Sequence, residues 1–201
     1  MLRVGLTGGL ASGKSFVGHS LADLGCYLIE ADQLGHEVML PGAEAYDSIV
    51  REFGAGILGS DGHIDRRKLS ALVWGHPERL EKLNTFVHPP VRAREERRMA
   101  EIAQADPRAI AVVAAAILVE TGSYRSFDKL IVVTCTAEQQ MERALKRGSY
   151  SREEILARLS RQLPLEEKLR VADYVVDTSG SKESTLEQVR IVYESLRSLS
   201  V

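Results

Sequence analysis

Val4-Gly5-Leu6-Thr7-Gly8-Gly9-Leu10-Ala11-Ser12-Gly13-Lys14-Ser15 is the stretch that decides the fold of this chain. The apolar run Leu2 to Leu6 reads as a strand, a glycine-rich turn follows, and a helical pattern runs from Lys14 to about Leu24. Gly8 to Ser15 satisfies G-x-x-x-x-G-K-[ST] at every specified position. Glycines let the backbone curl so that several N–H groups point at one anion. A helix beginning at Gly13 adds the positive end of its dipole. Lys14 supplies a mobile cation for β- and γ-phosphates, and the Ser15 hydroxyl is suited to Mg²⁺. The competing reading is a glycine-rich turn with an incidental lysine. A strand before the motif and a helix after it favour a nucleoside triphosphate site, extending from Gly8 to Phe16.

The bulk composition bounds what surrounds this loop. A chain of 201 residues is long enough for one α/β domain with a small insertion. Charged residues at 27% and hydrophobic residues at 44% are ordinary for a soluble globular protein. A net charge of -2 argues against a broadly basic nucleic-acid binder. Cys26 and Cys135 form no close-spaced metal or redox motif and lie in or beside apolar segments, as buried thiols of a reducing compartment do. The first strand starts at residue 2, so no signal peptide is expected ahead of it. Ala109 to Val119 is too short to span a bilayer and reads as a buried strand. A cytoplasmic protein is expected, with no membrane or nucleic-acid partner, as a monomer or small homo-oligomer.

Along the chain, strands alternate with helices. Cys26 to Ile29 reads as the second strand, delivering Glu30-Ala31-Asp32 at its carboxyl end, where open parallel sheets bind ligands. Helical patterns follow from Asp32 to about Leu40, from Ala43 to Phe53, from Arg66 to Trp74 behind an Asp65 cap, and from Pro77 to Val87. His88-Pro89-Pro90 is expected to break the helix before another runs from Val91 to about Ala105. Ile110 to Val119 reads as a strand buried on both faces, with Glu120 at its ligand edge. Lys129 to Cys135 and Ala172 to Thr178 are the remaining strands. Capping boxes at Thr136 and Ser151 open helices to about Lys146 and Leu163, and a last helix covers Ser184 to about Leu199. The expected fold is α/β: a P-loop NTPase-type, doubly wound, mainly parallel five-stranded sheet. Its core covers 1–40 and 106–201, with a helical substrate-binding insertion at about 41–105 and a helical lid at about 138–163.

Three constellations carry chemistry beyond the loop. Asp32 is placed to accept the proton of an attacking hydroxyl or to orient it in line with the γ-phosphate; a plain helix cap or a hold on metal-bound water are its other readings. Arg143 and Arg147 share one helix face, Arg158 and Gln162 the next, and Gly148-Ser149-Tyr150 joins the two as a hinge-like turn. Such a hairpin describes a lid whose guanidinium groups stabilise the transferring phosphoryl, against the plainer reading of a solvated helical pair. His88 with Arg92 forms a third pair, and Arg92 suits a phosphate or carboxylate. The remaining histidines lack metal-ligand spacing, so Mg²⁺ held mainly by the nucleotide is the one metal expected.

The order of these residues resembles the dephospho-CoA kinase family over essentially the whole chain. The resemblance rests on strand–GGxxSGKS–helix, then Ala31-Asp32, Arg67-Lys68-Leu69, and Leu83 with His88-Pro89 and Arg92. It continues with Glu120, Gln140 with Arg143 and Arg147, Arg158 with Gln162, and Ala172-Asp173-Tyr174-Val175-Val176. It implies transfer of the ATP γ-phosphate to the ribose 3′-hydroxyl of dephospho-CoA, giving CoA and ADP. It also implies a nucleotide core, a helical CoA-binding part and a lid. Asp32 would be the catalytic acid/base, and Lys14, Arg143 and Arg147 would surround the phosphates. His88, Arg92 and Glu120 would lie around the acceptor, and Arg158 and Gln162 are counted with them. The chain departs from the family pattern at Ala116, where a Pro-Leu-Leu-type segment is usual, and at Thr178, where Asn is usual.

Other P-loop kinases, for nucleosides, nucleoside monophosphates or shikimate, are the enzymatic alternative. Asp32-Gln33-Leu34-Gly35 fits the D-x-x-G of a GTP-dependent switch, but no Asn-Lys-x-Asp follows to read guanine.

Overall fold

The computed structural model describes residues 1–73, 75–148 and 151–200. Five strands form one parallel sheet: β1 (Leu2–Gly8), β2 (Tyr27–Glu30), β3 (Ile110–Ala114), β4 (Lys129–Thr134) and β5 (Tyr174–Asp177), in the order β2-β3-β1-β4-β5. β1 sits in the centre, pairing Leu6 with Ala114 on one side and with Ile131 on the other. Both of its neighbours are covered, which is why β1, β3 and β4 read as continuous apolar runs. Helices α1 (Lys14–Asp23) and α9 (Lys182–Leu199) cover one face, where Val17, Leu21, Val189 and Leu196 are fully buried against Val4, Leu6, Val112 and Ile131. Gly25, with φ +110, turns the chain from α1 into β2, as its place after the helix predicted.

The chain divides into two compact units, residues 1–30 with 99–201 and residues 31–98. The second unit is helical: α2 (Ala31–Glu37), α3 (Tyr46–Phe53), α4 (Arg66–Val73) and the start of α5 (Pro77–Ala105). It has its own core of Val38, Ile49, Ile57, Leu69 and Val73. Val38 in that core explains why the division falls before α2 rather than near residue 40. The Asp65 carboxylate accepts the N–H groups of Arg67 and Lys68 at 2.9 and 3.2 Å, the cap that the sequence called for. Arg94 clamps the unit from outside, donating to both oxygens of Glu44 at 3.0 and 2.7 Å and to Glu37 at 3.2 Å. Trp74, expected as the end of α4, lies outside the described residues.

Three expectations are corrected. The helix does not break at His88-Pro89-Pro90; α5 runs unbroken through both prolines. Each proline removes one backbone donor, but Leu80, Leu83, Phe86, Val87 and Val91, on both sides of the pair, pack against the same core. That burial outweighs the local cost. β3 ends at Ala114, not Val119, because β2 ends opposite it at Glu30 and turns into α2. Residues 116–121 form a turn instead, and Leu118 folds back to cover Gly5. Glu120 therefore lies in this turn rather than at a strand end. Finally, α7 (Arg152–Leu159) stops short of Leu163, because Pro164 disfavours helical backbone at the residue before it and caps a short helix, α8 (Leu165–Leu169), that the sequence reading missed.

Candidate active site

The loop between β1 and α1 is built as its spacing requires. Ala11 has φ +57 and Gly13 φ +93, two left-handed residues that curl the backbone, and the Ser12 N–H closes a turn onto the Gly9 carbonyl at 3.1 Å. Gly13 caps α1, so Lys14 and Ser15 open the helix at its positive end. Ser15 is exposed, and among the described residues its hydroxyl takes part in no hydrogen bond. The Ser12 Oγ is buried without a partner among the described residues and would clash with a Cβ at Gly8, 2.5 Å away.

Helix α6 (Ala137–Lys146) and α7 lie against this loop. Thr136 and Ser151 open them with complete capping boxes. Ala144 and Ile155 are buried with Ala11, and Leu10, Met141 and Leu159 pack around them. Of the turn Gly148-Ser149-Tyr150, the last two residues lie outside the described residues. Two glutamines reach the loop. The Leu10 N–H donates to Gln162 Oε1 at 2.9 Å. A Cβ at Gly9 would lie 2.3 Å from Gln140 Nε2, so the close approach of that carboxamide explains the second glycine. Gln162 is not on the helix face with Arg158, as expected, but in the turn beyond α7, its N–H bonded to Leu159.

Arg143 sits near the loop through one intermediary. It donates to the hydroxyl and the carbonyl of Thr178 at 2.9 and 2.7 Å, and that hydroxyl lies 2.8 Å from the Ser12 carbonyl. Arg147 is the terminal cap of α6, one turn on. Thr178 was legible only as a departure from the family's usual Asn. Gln140 entered only with Arg143 and Arg147 in the family resemblance, and Lys168 carried no motif of its own. Lys168 is 2% exposed on α8 and its Nζ is 2.6 Å from Glu120 Oε1. Glu120 also accepts the Leu163 N–H at 3.2 Å, while its Oε2 is buried without a partner among the described residues.

In the helical unit, Asp32 is exposed in the first turn of α2, the second residue of the helix rather than its cap. His36 lies one turn on; burial and the Arg66 charge hold its pKa below 6.5, against a smaller opposing pull from Asp32. His88 and Arg92 line one open groove of about 480 Å³ on α5, with Glu81, Asn84, Thr85 and Pro89. Burial, then the Arg92 charge, lowers the His88 pKa, so neutral imidazole faces the groove near neutral pH. Burial also raises the Glu95 carboxyl above 4.5 despite Arg92 nearby.

The dephospho-CoA kinase family profile matches residues 2–184. The chain belongs to the dephospho-CoA kinase family. It is 41% identical to the dephospho-CoA kinase of Aquifex aeolicus over 98% of both chains. Against that of Carboxydothermus hydrogenoformans it is 40% identical over 95% of this chain and 92% of the relative. Its fold superposes on a dephospho-CoA kinase from Campylobacter jejuni with TM-score 0.73, at 26% identity over 99% and 98% of the two chains. For the protein TT1252 of Thermus thermophilus the TM-score is 0.79, at 29% identity over 96% of each chain. The kinase is therefore an ATP-dependent phosphotransferase with an alcohol group as acceptor, acting on dephospho-CoA in the final step of coenzyme A biosynthesis. Among the described residues no helix is long and apolar enough to cross a membrane.

Proposed function

We propose the following division of labour in the transfer of the ATP γ-phosphate to the ribose 3′-hydroxyl of dephospho-CoA. Between Gly9 and Ser15, the backbone N–H groups other than those of Leu10 and Ser12, which bond to Gln162 and Gly9, cradle the phosphates, and Lys14 follows the charge onto the β- and γ-oxygens. Arg143 and Arg147 add positive charge where negative charge develops in the transition state. Asp32 accepts the proton of the 3′-hydroxyl as its oxygen bonds to phosphorus and the bond to the β-phosphate oxygen breaks. His88 and Arg92 bind the acceptor in the α5 groove, Arg92 through its anionic groups and neutral His88 as donor or acceptor. Glu120, Arg158 and Gln162 border the same reaction from the α7–α8 side.

The observation that carries this reading is the loop itself: left-handed Ala11 and Gly13, the helix start at Lys14, and the apolar packing of α6 and α7 on Leu10 and Ala11. A covered loop favours transfer to a bound hydroxyl over transfer to water. Residues at about 41–105 form the acceptor-binding insertion, and those at about 138–163, with α6 and α7, the lid. Mg²⁺ fits the residues present, because Ser15 offers an exposed hydroxyl at the loop. Among the described residues no group of three or more His, Cys, Asp or Glu could hold a metal unaided, so the nucleotide supplies the other ligands. Bound there, Mg²⁺ would neutralise charge between the β- and γ-phosphates. The two thiols fit a reducing, cytoplasmic setting, and nothing in the charge calls for a nucleic-acid partner.

Purified enzyme with ATP, Mg²⁺ and dephospho-CoA should form CoA and ADP in equal amounts. Nucleotide hydrolysis indifferent to dephospho-CoA would sink the reading. Asp32→Asn should lower kcat by roughly a hundredfold or more with ATP affinity nearly kept. Turnover within a few-fold of wild type would remove Asp32 from the role of base.

A further inference from the structure

Lys168 is a charged side chain buried to 2% exposure that no step above uses. Its Nζ lies 2.6 Å from Glu120 Oε1 and 3.5 Å from the Ala116 carbonyl. It thus ties α8 to the turn that follows β3. Glu120 hands the link on, because the same Oε1 accepts the Leu163 N–H at 3.2 Å. Leu163 directly follows Gln162, whose Oε1 accepts the Leu10 N–H at 2.9 Å. The path from a buried ammonium to the backbone of the phosphate loop is therefore continuous: Lys168, Glu120, the 162–163 backbone, Leu10.

We infer that Lys168 is a positioning residue for phosphoryl transfer, acting through Glu120 to hold Gln162 on the Leu10 amide. The inference rests on the phosphate-loop reading above. A buried ion pair adds little to stability over an apolar pair of similar volume, whereas it fixes geometry well. Geometry is what the 160–164 segment needs. It lies between two helices, carries Pro164, and its N–H bonds back to α7 are single turns. Without the Glu120 acceptor the Leu163 N–H loses its partner, and the Gln162 carboxamide is no longer aimed. The turn around Glu120 is itself set by neighbouring contacts, since the Ala116 carbonyl that Lys168 approaches also accepts the Thr7 hydroxyl at 3.3 Å at the end of β1. Lys168 thereby couples the sheet edge, the end of the lid and the phosphate loop.

The test compares Gln162→Ala, the charge-neutral double variant Lys168→Met with Glu120→Gln, and the triple variant. The double variant leaves no unpaired buried charge, so it should fold, while the carboxamide at position 120, no longer anchored by an ammonium, stops fixing the Leu163 N–H; circular dichroism verifies the fold. Each should lower kcat roughly tenfold while the KM for ATP moves less than about threefold, and the triple should be no slower than the slower of the two, within about twofold. Lys168→Arg should recover part of the lost kcat. Hydrogen exchange at the Leu10 amide, read by NMR without nucleotide, should speed up in both Gln162→Ala and the double variant. Multiplying kcat losses in the triple, or unchanged Leu10 exchange in the double, would overturn the role of Lys168. Should the double fail to fold, Lys168→Arg decides: Leu10 protection and kcat that move together support the inference, and lowered kcat at full wild-type protection, or lost protection at wild-type kcat, overturns it. Wild-type enzyme that ignores dephospho-CoA would instead fail the functional reading, and the exchange measurement stands apart from that result.

Discussion

The hydroxyl of Thr178 lies 2.8 Å from the carbonyl oxygen of Ser12, joining the end of the last strand to the middle of the phosphate loop. The same oxygen receives Arg143 Nη1 at 2.9 Å and lies 3.1 Å from the Thr134 carbonyl. A hydroxyl has one proton, so it donates to one carbonyl at a time while accepting from Arg143. The position where the family usually has Asn is thus filled by a smaller group with the same two capacities.

Thr178→Val keeps the shape and removes both capacities. It should cost about 1–3 kcal/mol of stability, because buried acceptors lose their donor, and it should also lower kcat as Arg143 loses an anchor. Thr178→Ser should restore most of each. Urea denaturation and steady-state kinetics measure the two effects; a Val variant with wild-type stability would show that Ser12 finds another donor.

Two loop glycines should respond differently to a single methyl. At Gly9 the new Cβ meets the end of the flexible Gln140 side chain, which can swing away. At Gly13 it meets Thr178 Cγ2 and Oγ1 at 3.0 Å, with φ +93, a conformation that costs an L-residue roughly 1–2 kcal/mol. Gly13→Ala should therefore lose more stability than Gly9→Ala, by at least about 1 kcal/mol in urea melts. The reverse ranking would mean that the half-buried Gln140 side chain is held too rigidly to swing away.

The helical unit should weaken as the solution is acidified. His36 and His88 both have folded pKa values below the 6.5 of the unfolded chain, chiefly from burial, with Arg66 and Arg92 adding to the effect. Above 6.5 both states are neutral and stability is full. Below 6.5 the unfolded chain takes up protons that the folded form refuses, so stability falls until the pH passes the folded values. Melting temperature should drop through this window, and the double variant His36→Gln with His88→Gln should flatten the drop. The Glu44 carboxyl, lowered by its hydrogen bonds from Arg94, acts only further down: its contribution is present above 4.5 and lost as pH falls below it. An unchanged slope in the double variant would assign the acid loss to carboxylates alone.

Local signals with a single physical meaning were readable from the sequence. The phosphate loop, the caps at Asp65, Thr136 and Ser151, and the five apolar strands each follow from spacing and residue type within a few positions. What was not readable depends on partners distant in the chain. The run to Val119 looked like strand throughout, yet its pairing ends where β2 ends, a fact about Glu30 and not about residues 115–119. Gln162 fits a helix face with Arg158 by spacing, but Pro164 two residues later disfavours helical backbone at the residue before it. Lys168 carries no local signal, because the partner of its buried ammonium is Glu120, 48 positions earlier.

The prolines within α5 offer the sharpest test of how far packing overrides local preference. Pro89 is exposed in the helix interior and denies a donor to the Thr85 carbonyl. Pro89→Ala restores that donor and removes the ring clash, worth up to about 3 kcal/mol, but gives the unfolded chain back some 0.4–1 kcal/mol of entropy. The net expectation is a gain of about 2 kcal/mol, seen as a higher urea midpoint at unchanged slope. Because Pro89 lines the groove with His88 and Arg92, the stabilised variant should bind dephospho-CoA less tightly, raising its KM while the KM for ATP stays put. Loss of stability instead would mean that the backbone the prolines impose is what lets Leu83 and Val91 reach the same core.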